Sequence, residues 1–284
     1  MAIFSNQATL TYNGNTTNSN IAYGEILDVL AATKTAVEGT YTPGQVVTYV
    51  VTLRNTGAVA LTGLTVTDDL GGYPFNGTTV YPLSYVAGSA TQFTDGVPQA
   101  APAVTPGPPL VFTDIVVPAG GDVVLVYQAL ANQYADPADG GVINNTVTVT
   151  GDGISAPITA TETVTAQTQP ALTISKSITP TQVVDNDRVT YTFVIQNAGN
   201  EPVVATDNAA ITDTFDPVLT ALTVTFDGAP WTQGVQYNYT EATGLFTTVP
   251  GQILVPAATY TQDPVTGAYT VNPGIATLVV TGTI

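Results

Sequence analysis

The sequence contains two copies of one unit, and this repeat limits the folds that the chain can adopt. The segment from Lys34 to Gly57 aligns without gaps with the segment from Lys176 to Gly199. Both segments contain the pattern Tyr-x-hydrophobic-x-hydrophobic-x-Asn-x-Gly at the same place. After a short insertion in the second copy, residues 66–70 match residues 211–215. Two copies of one unit in 284 residues predict two tandem domains.

The repeated unit has the pattern of β-strands. Residues 46–53, 145–150 and 189–195 alternate between apolar residues and threonine or other polar residues, and turn residues separate such runs along the chain. Period-two alternation is typical of half-buried strands, whereas no stretch has the spacing of an amphipathic helix. The sequence therefore predicts an all-β fold of two tandem immunoglobulin-like β-sandwich domains.

The two copies differ at their C-terminal ends. The first continues past Ala131, through a turn-rich loop, into a last strand at 145–150, whereas the second stops at Ile284, the counterpart of Ala131. The second domain is therefore expected to lack its last strand. A matching segment lies at the other end of the chain, because Phe4–Thr11 lines up with Ile143–Thr150.

These matches give a domain organisation with five segments. The expected segments are an N-terminal donor strand at 1–13, a linker at 14–31, β-sandwich domain 1 at 32–151, a linker at 152–170, and the incomplete β-sandwich domain 2 at 171–284. Part of the first linker, residues 21–30, is expected to pair as a further strand.

A sandwich without an edge strand exposes unpaired backbone groups and an apolar strip, which a free strand can cover. Alternation places Phe4, Asn6, Ala8 and Leu10 on one face of the N-terminal strand, and a slip of one residue would turn that face outward. If the strand of one molecule fills the gap of the next, the contact repeats as a filament. The alternatives are that the strand folds back on its own molecule, or that the match has no functional meaning.

The chain has two lysines, Lys34 and Lys176, and both occupy the same position of the repeat. Alternation predicts that each points inward from the first strand of its domain. An isolated buried ammonium is costly, so such a lysine loses its proton and becomes a nucleophile, while a buried carboxylic acid stays protonated. A neutral amine, a protonated acid and an Asn carboxamide together can form a Lys–Asn isopeptide bond and release ammonia.

These motifs resemble the conserved-repeat β-sandwich domains of bacterial and archaeal surface proteins, the domain of unknown function numbered eleven. They are also similar to the isopeptide-forming domains of Gram-positive pilins and adhesins, which carry Lys on the first strand, Asn on the last and an acid between. The resemblance implies Lys34, Asp68 and Asn145 as the reactive set of domain 1. For domain 2 it implies Lys176 and Asp213, with Asn6 supplied by the donor strand.

Several of these assignments have alternatives. Glu38 and Glu162 are rival acids, and Asp68 and Asp213 could instead be turn or cap carboxylates. Asn144 could replace Asn145 if the register differs by one residue. Both lysines could also form ion pairs without reacting.

The composition excludes several classes of function. With four cationic side chains and a net charge of −17, the chain cannot neutralise nucleic acid or an anionic membrane surface. It has no His and no Cys, which removes the usual nucleophile pairs, zinc sites and disulfides. No cofactor or metal is expected, no apolar run is long enough to insert in a membrane, and an enzyme is disfavoured.

These observations together favour a structural subunit of an extracellular filament, such as a pilus or appendage on a cell or spore surface. Its partners would be identical subunits in a homopolymer. The first residues have neither a basic region nor an apolar region of a signal peptide, which resembles endospore appendage subunits. The alternative is an adhesive or surface-layer repeat fragment of a larger cell-surface protein.

Overall fold

The computed structural model describes residues 2–26 and 28–284 and consists almost entirely of β-strands. The prediction of an all-β fold is confirmed. The chain divides into two compact units, of which the first contains residues 1–136 and 142–165 and the second contains residues 137–141 and 166–284. Within the described chain, no helix is long and apolar enough to span a bilayer.

The first unit begins with one long hairpin, whose strands are β1 (Ala2–Asn6), β2 (Thr9–Tyr12), β3 (Asn15–Asn18) and β4 (Ala22–Ile26). In this hairpin β1 pairs with β4 and β2 pairs with β3. The remaining strands of this unit are β5 (Leu30–Ala36), β6 (Thr40–Tyr41), β7 (Val46–Asn55), β8 (Leu61–Asp68), β9 (Tyr73–Phe75), β10 (Thr78–Val80), β11 (Leu83–Tyr85), β12 (Thr91–Thr94), β13 (Val97–Pro98), β14 (Ala103–Thr105), β15 (Leu110–Val117), β16 (Asp122–Ala131), β17 (Val142–Thr150) and β18 (Ile158–Ala166).

The core of the first unit lies between two sheets. One sheet has the order β13-β12-β16-β7-β5, with β11 also on β16, and the other has the order β14-β15-β8-β17-β18-β6. Alternate residues of β7, β8, β16 and β17 are fully buried, among them Leu53, Val66, Leu125 and Val147. The period-two alternation of the sequence thus places one face of each central strand in the core.

The second unit repeats this plan with fewer strands. Its strands are β19 (Leu172–Thr179), β20 (Arg188–Asn197), β21 (Thr212–Thr214), β22 (Thr220–Phe226), β23 (Ala229–Trp231), β24 (Tyr237–Thr240), β25 (Leu245–Thr248), β26 (Thr259–Gln262), β27 (Tyr269–Asn272) and β28 (Gly274–Thr283), with a 3₁₀ turn at Ala205–Asp207. One sheet has the order β19-β20-β28-β22-β23, another has the order β21-β25-β24, and β26 pairs with β27.

The repeated Asn-x-Gly pattern has a structural role in both units. The Asn55 side chain accepts a hydrogen bond from the Gly57 amide and donates one to the Val59 carbonyl. Asn197 makes the equivalent bonds with Gly199 and Glu201. Both asparagines are fully buried. This motif therefore fixes the turns that follow β7 and β20.

Two stretches expected to be linkers contain strands. Residues 14–31 hold β3, β4 and the start of β5, and residues 152–170 hold β18. β18 pairs with β17 along its length, from Ile158 opposite Val149 to Thr165 opposite Val142. The reason is that a threonine-rich alternating stretch pairs well at the edge of a sheet, even where it has few large apolar residues. β4 agrees with the strand expected within residues 21–30, whereas β3 and β18 were not expected.

Candidate functional site

A buried ion pair lies at the centre of the first unit. Lys34 on β5 and Asp68 at the end of β8 belong to opposite sheets, and the Lys34 Nζ atom lies 2.7 Å from the Asp68 Oδ2 atom. Neither side chain is exposed to solvent. The sequence predicted an inward-facing lysine, and the structure places it in direct contact with one of the predicted acids.

Two further donors hold Asp68 in place. The Tyr127 hydroxyl donates to the same Oδ2 atom that Lys34 contacts, and the Leu70 backbone amide donates to Oδ1 at 2.7 Å. Asp68 thus has a fixed orientation and cannot turn away from the lysine. Its two oxygens also have different partners, so the oxygen nearest the lysine is the one placed to exchange a proton with it.

Asn145 completes the cluster from the neighbouring strand β17. The residue is fully buried, and neither atom of its side-chain amide has a hydrogen bond of normal geometry with any described residue. Its polar neighbour is the Tyr49 hydroxyl. Burial raises the pKa of Tyr49, and the nearby Asn145 amide opposes this shift. The Tyr49 hydroxyl also makes no hydrogen bond of normal geometry. A buried amide without partners is rare and costs free energy, so it calls for an explanation.

Tyr49 connects the amine to this amide. The Lys34 Nζ atom lies 4.8 Å from the centre of the Tyr49 ring, and the hydroxyl of the same ring faces Asn145. Tyr49 also stacks on Tyr127 with 5.8 Å between ring centres. Both rings are fully buried beside the cluster, and Lys34, Asp68 and Asn145 lie together in a region without solvent.

Burial changes the titration of the groups in this cluster. Loss of hydration lowers the pKa of Lys34 below its ordinary value, although the neighbouring Asp68 opposes this shift. Burial also raises the pKa of Tyr49 and, together with the charge of Asp68, that of Tyr127. The environment therefore favours an uncharged amine and uncharged phenols, which is the state in which a lysine can act as a nucleophile.

The rival residues lie in other positions. Asn144 is exposed and accepts a hydrogen bond from Thr163, so it faces away from the core. Glu38 accepts a hydrogen bond from the Thr48 backbone amide. Glu162 is half-buried and lies opposite Asn145 on β18.

The second unit contains the same pair in a different environment. Lys176 on β19 contacts Asp213 on β21, but their side chains are 39% and 19% exposed. The lysine lies 4.6 Å from the centre of the Tyr191 ring, as Lys34 does over Tyr49. Val280 occupies the place of Tyr127, because each pairs with the tyrosine of the second strand. Asp213 therefore has no tyrosine counterpart of the kind that holds Asp68.

An open sheet edge accounts for this exposure. In the first unit β8 lies between β15 and β17, whereas its counterpart β21 pairs only with β25 among the described strands. The first strand of the unit is also uncovered, since Leu172 is 45% exposed and its counterpart Leu30 is buried. A cavity of about 170 Å³ runs between these strands, lined by Leu172, Ile174, Ile195, Ala210, Ile211 and Ile253.

The predicted donor residues lie on an exposed hairpin at the N-terminus of the first unit. β1 pairs with β4 and β2 pairs with β3, so residues 2–26 form one long hairpin with its turn at Asn13–Gly14. Every described side chain from Phe4 to Tyr23 is exposed, including Asn6, Ala8 and Leu10. The segment that matches β17 in sequence is therefore extended, as expected, but it already has one partner strand.

Tyr127 and the reactive-site environment of Tyr49 were not predicted from the sequence. Tyr127 lies on β16 directly opposite Tyr49 on β7. Only the register between two strands that are distant in sequence reveals this pairing, so no local motif could have identified it.

Comparisons with known proteins show at most the fold. No protein-family model matches the chain, and no curated protein matches it. Among solved structures, the chain is similar to the pilus backbone RrgB from Streptococcus pneumoniae, with 12% identity, a TM-score of 0.36, and 86% of this chain and 55% of that chain covered. The major pilin SpaD from Corynebacterium diphtheriae has 12% identity, a TM-score of 0.36, and coverage of 85% and 58%. The N-terminal domain of the Streptococcus gordonii adhesin Sgo0707 has 16% identity, a TM-score of 0.35, and coverage of 54% and 36%.

The chain thus spans between about a third and somewhat more than half of the length of these structures.

Proposed function

We propose that the chain is the structural subunit of an extracellular filament, in which the N-terminal segment of one molecule completes the second unit of the next. The observation that carries the proposal is the open edge of β21 beside an exposed Lys–Asp pair. In the first unit, β17 covers the corresponding edge and buries the corresponding pair. The N-terminal segment has the sequence alternation of β17 and an exposed apolar face.

The pairing of β17 with β8 defines the register of the donated strand. Val147 lies opposite Asp68 and Val149 opposite Val66. Transferred to the second unit through the sequence matches, Ala8 lies opposite Asp213 and Leu10 opposite Ile211. Leu10, which is 62% exposed, would then fill the cavity that Ile211 lines. Burying such a side chain stabilises the joint by about 1.5–3 kcal/mol.

The same register brings Asn6 to the place that Asn145 has in the first unit. There it would meet Lys176, with Asp213 as the acid. The donated strand would also exclude water from this pair, which is half-exposed in the single chain. Covering the pair converts it to the environment of Lys34 and Asp68, where burial favours the neutral amine.

The proposed reaction is an amide exchange. The neutral amine of the lysine attacks the Cγ atom of the asparagine side chain, while the protonated aspartic acid hydrogen-bonds to the amide oxygen. A new bond between Nζ and Cγ forms and the bond between Cγ and Nδ2 breaks. The amide nitrogen leaves as ammonia, and the aspartate carries the extra proton from the attacking amine to the leaving nitrogen. No oxidant or cofactor is required.

The comparison of the two sites supports aspartate as the acid. In the first unit Glu162 lies opposite Asn145, but the residue opposite Asn6 in the N-terminal hairpin is Ala22. Only the aspartates, Asp68 and Asp213, occupy matching positions at both sites. A mechanism shared by the two sites therefore needs Asp68 and Asp213 and cannot need Glu162.

A comparison of the full chain with a chain lacking residues 1–13 tests this function. Electron microscopy and sedimentation of the full chain are expected to show filaments, and the shortened chain is expected to stay monomeric. Filaments from the shortened chain would contradict the proposal. A full chain that remains monomeric would favour the alternative of a surface-protein fragment.

The crosslink inside the first unit can be tested separately on the monomer. The shortened chain is expected to be lighter than its sequence mass by one ammonia, and Asn145→Ala should abolish this difference. Asn144→Ala is the matched control, because Asn144 lies next in sequence but faces solvent. Loss of the mass difference in the Asn144 variant alone would reassign the crosslinked residue.

A further inference from the structure

The element that closes the first unit is a pair of strands and not a single strand. In the first unit β17 does not lie at a sheet edge, because the order continues β8-β17-β18-β6. β17 and β18 together fill the space between β8 and β6, and the Thr165 amide on β18 donates to the Gly39 carbonyl just before β6. The closing element of the first unit is therefore two strands wide.

In the described chain, the second unit has no pairing strand on either side of the corresponding space. β21, the counterpart of β8, has one open edge among the described strands. The counterpart of β6 is residues 182–183, which form no strand in the described chain. Val183 is 37% exposed, whereas its counterpart Tyr41 is fully buried. A single donated strand would pair with β21 but leave its own outer edge and residues 182–183 uncovered.

The N-terminal hairpin has the arrangement of β17 and β18. Its first arm, β1 and β2, matches β17 in sequence, and its second arm, β3 and β4, leads into β5 as β18 leads towards β19. One extra residue is accommodated on the second arm near Asn20–Ile21, where the pairing shifts between Asn6–Ala22 and Thr9–Asn18. The alternation of the first arm is uninterrupted, so its apolar face stays on one side.

Matching residue pairs of the two hairpins differ in their individual side chains but have a similar total side-chain size. Ile143 pairs with Val164, and both are buried in the first unit. The matching pair is Phe4 and Gly24, and the Phe4 ring lies so close over Gly24 that an added Cβ atom would come within 2.2 Å of it. Phenylalanine with glycine has as many side-chain carbons as isoleucine with valine. The N-terminal hairpin thus presents a core-facing surface of similar volume.

We infer that residues 2–26 insert as an intact hairpin between β21 and residues 182–183 of a second copy of this chain. This inference rests on the proposed filament function and specifies its joint. It assigns the second arm, and Gly24 in particular, to the interface between subunits, whereas donation of a single strand would require the two arms to separate first.

A reversible lock across the two arms distinguishes these mechanisms. The Thr9 hydroxyl donates to the Asn18 side chain across the hairpin at 2.9 Å, and directly paired residues are spaced suitably for a disulfide. The chain has no native Cys, so the Thr9→Cys, Asn18→Cys variant can form only one internal disulfide. The inference predicts that the oxidised and reduced forms of this full-length variant polymerise at the same rate. Polymerisation only after addition of reductant would overturn it while leaving strand donation in place.

A second variant gives opposite results for the two mechanisms. Gly24→Val places a branched side chain against Phe4, so an inserted hairpin would be overpacked and filament growth should slow by about tenfold or more. The double variant Phe4→Ile, Gly24→Val recreates the Ile143–Val164 pair and should restore growth. If a single strand is donated, Gly24→Val loosens the hairpin and growth should be unchanged or faster, which would overturn the inference. Absence of filaments from the unaltered chain would contradict the proposed function itself.

Discussion

The two Lys–Asp pairs occupy the same positions of the repeat, yet one is sealed in a core and the other is partly exposed. Lys34 and Asp68 are inaccessible to solvent, and the buried Asn145 lies in the same cluster. Lys176 and Asp213 are 39% and 19% exposed, and their unit holds no counterpart of β17 among the described strands. In the first unit, β17 therefore has two effects: it buries the Lys34–Asp68 pair and it carries Asn145. If the N-terminal segment takes the place of this strand, as we propose, the chemistry of the second unit depends on a second molecule.

The largest expected effect comes from removing Lys176, because it is the one of the two lysines that is proposed to link subunits. Lys176→Met should abolish the ladder of covalent oligomers that remains after filaments are boiled in SDS. Lys34→Met should leave the ladder intact, since it removes only the link inside the first unit. Methionine keeps most of the side-chain volume, so packing is little changed in either variant. A ladder that survives Lys176→Met would show that the subunits are crosslinked through another residue.

The buried and exposed pairs should also differ in their contribution to stability. The comparison uses the chain without residues 1–13 in an Asn145→Ala background, in which the first unit cannot crosslink. Asp68→Asn should lower the free energy of unfolding of the first unit by about 3–5 kcal/mol, because it leaves a buried lysine without its partner. Asp213→Asn should cost the second unit less than about 1 kcal/mol, because the pair is partly exposed.

Urea unfolding can resolve the two units in this experiment. Trp231 is the single tryptophan and stacks on Phe226, so its fluorescence reports the second unit alone, while circular dichroism reports both. Equal losses for the two variants would contradict the difference in burial.

A smaller difference is expected at alkaline pH. Burial raises the pKa of Tyr49 and Tyr127 above 10.0, so these hydroxyls stay protonated in the folded unit at pH values where the unfolded chain loses their protons. The folded state then binds more protons, and its stability falls as the pH rises above 10. The slope approaches about 1.4 kcal/mol per pH unit for each tyrosine.

The second unit should lose less stability over the same range, since Val280 replaces Tyr127 and the one buried tyrosine among its described residues is Tyr237, whose pKa burial raises. Urea titrations between pH 9 and 11 measure this contrast in the same background, at about half-unit steps. Tyr127→Phe should reduce the loss of unfolding free energy per pH unit in the first unit. A slope that is the same in both units would contradict the role of the buried phenols.

The sequence was sufficient for the features that follow from alternation and repetition. The repeat predicted two units with matching lysines, and the structure divides the chain into two compact units with a Lys–Asp pair in each. Alternation predicted that Lys34 faces inward, and the structure places it in the core against Asp68. The position of Asn145 followed from the implied resemblance, and its burial distinguishes it from Asn144.

The remaining features depend on contacts between distant strands. Tyr127 meets Asp68 only through the register of β16 against β7, which no local pattern encodes. β3 and β18 lie in stretches expected to be linkers, because their threonine-rich and small residues carry a weak strand signal. The hairpin form of the donor segment follows from the Asn13–Gly14 turn, whose residues both have positive φ angles.

Peptide mass spectrometry of SDS-boiled assemblies tests directly whether Lys176 of one subunit is linked to Asn6 of another. The chain has only four cationic cleavage sites for trypsin, and crosslinking would block two, so a protease of different specificity is needed. Two linked peptide pairs are expected, each lighter by one ammonia, one joining Lys34 to Asn145 and the other joining Lys176 to Asn6. Mixing chains labelled with different nitrogen isotopes should show the second link between molecules and the first within one. Assemblies in which Lys176 and Asn6 are both recovered in unlinked peptides would contradict the account.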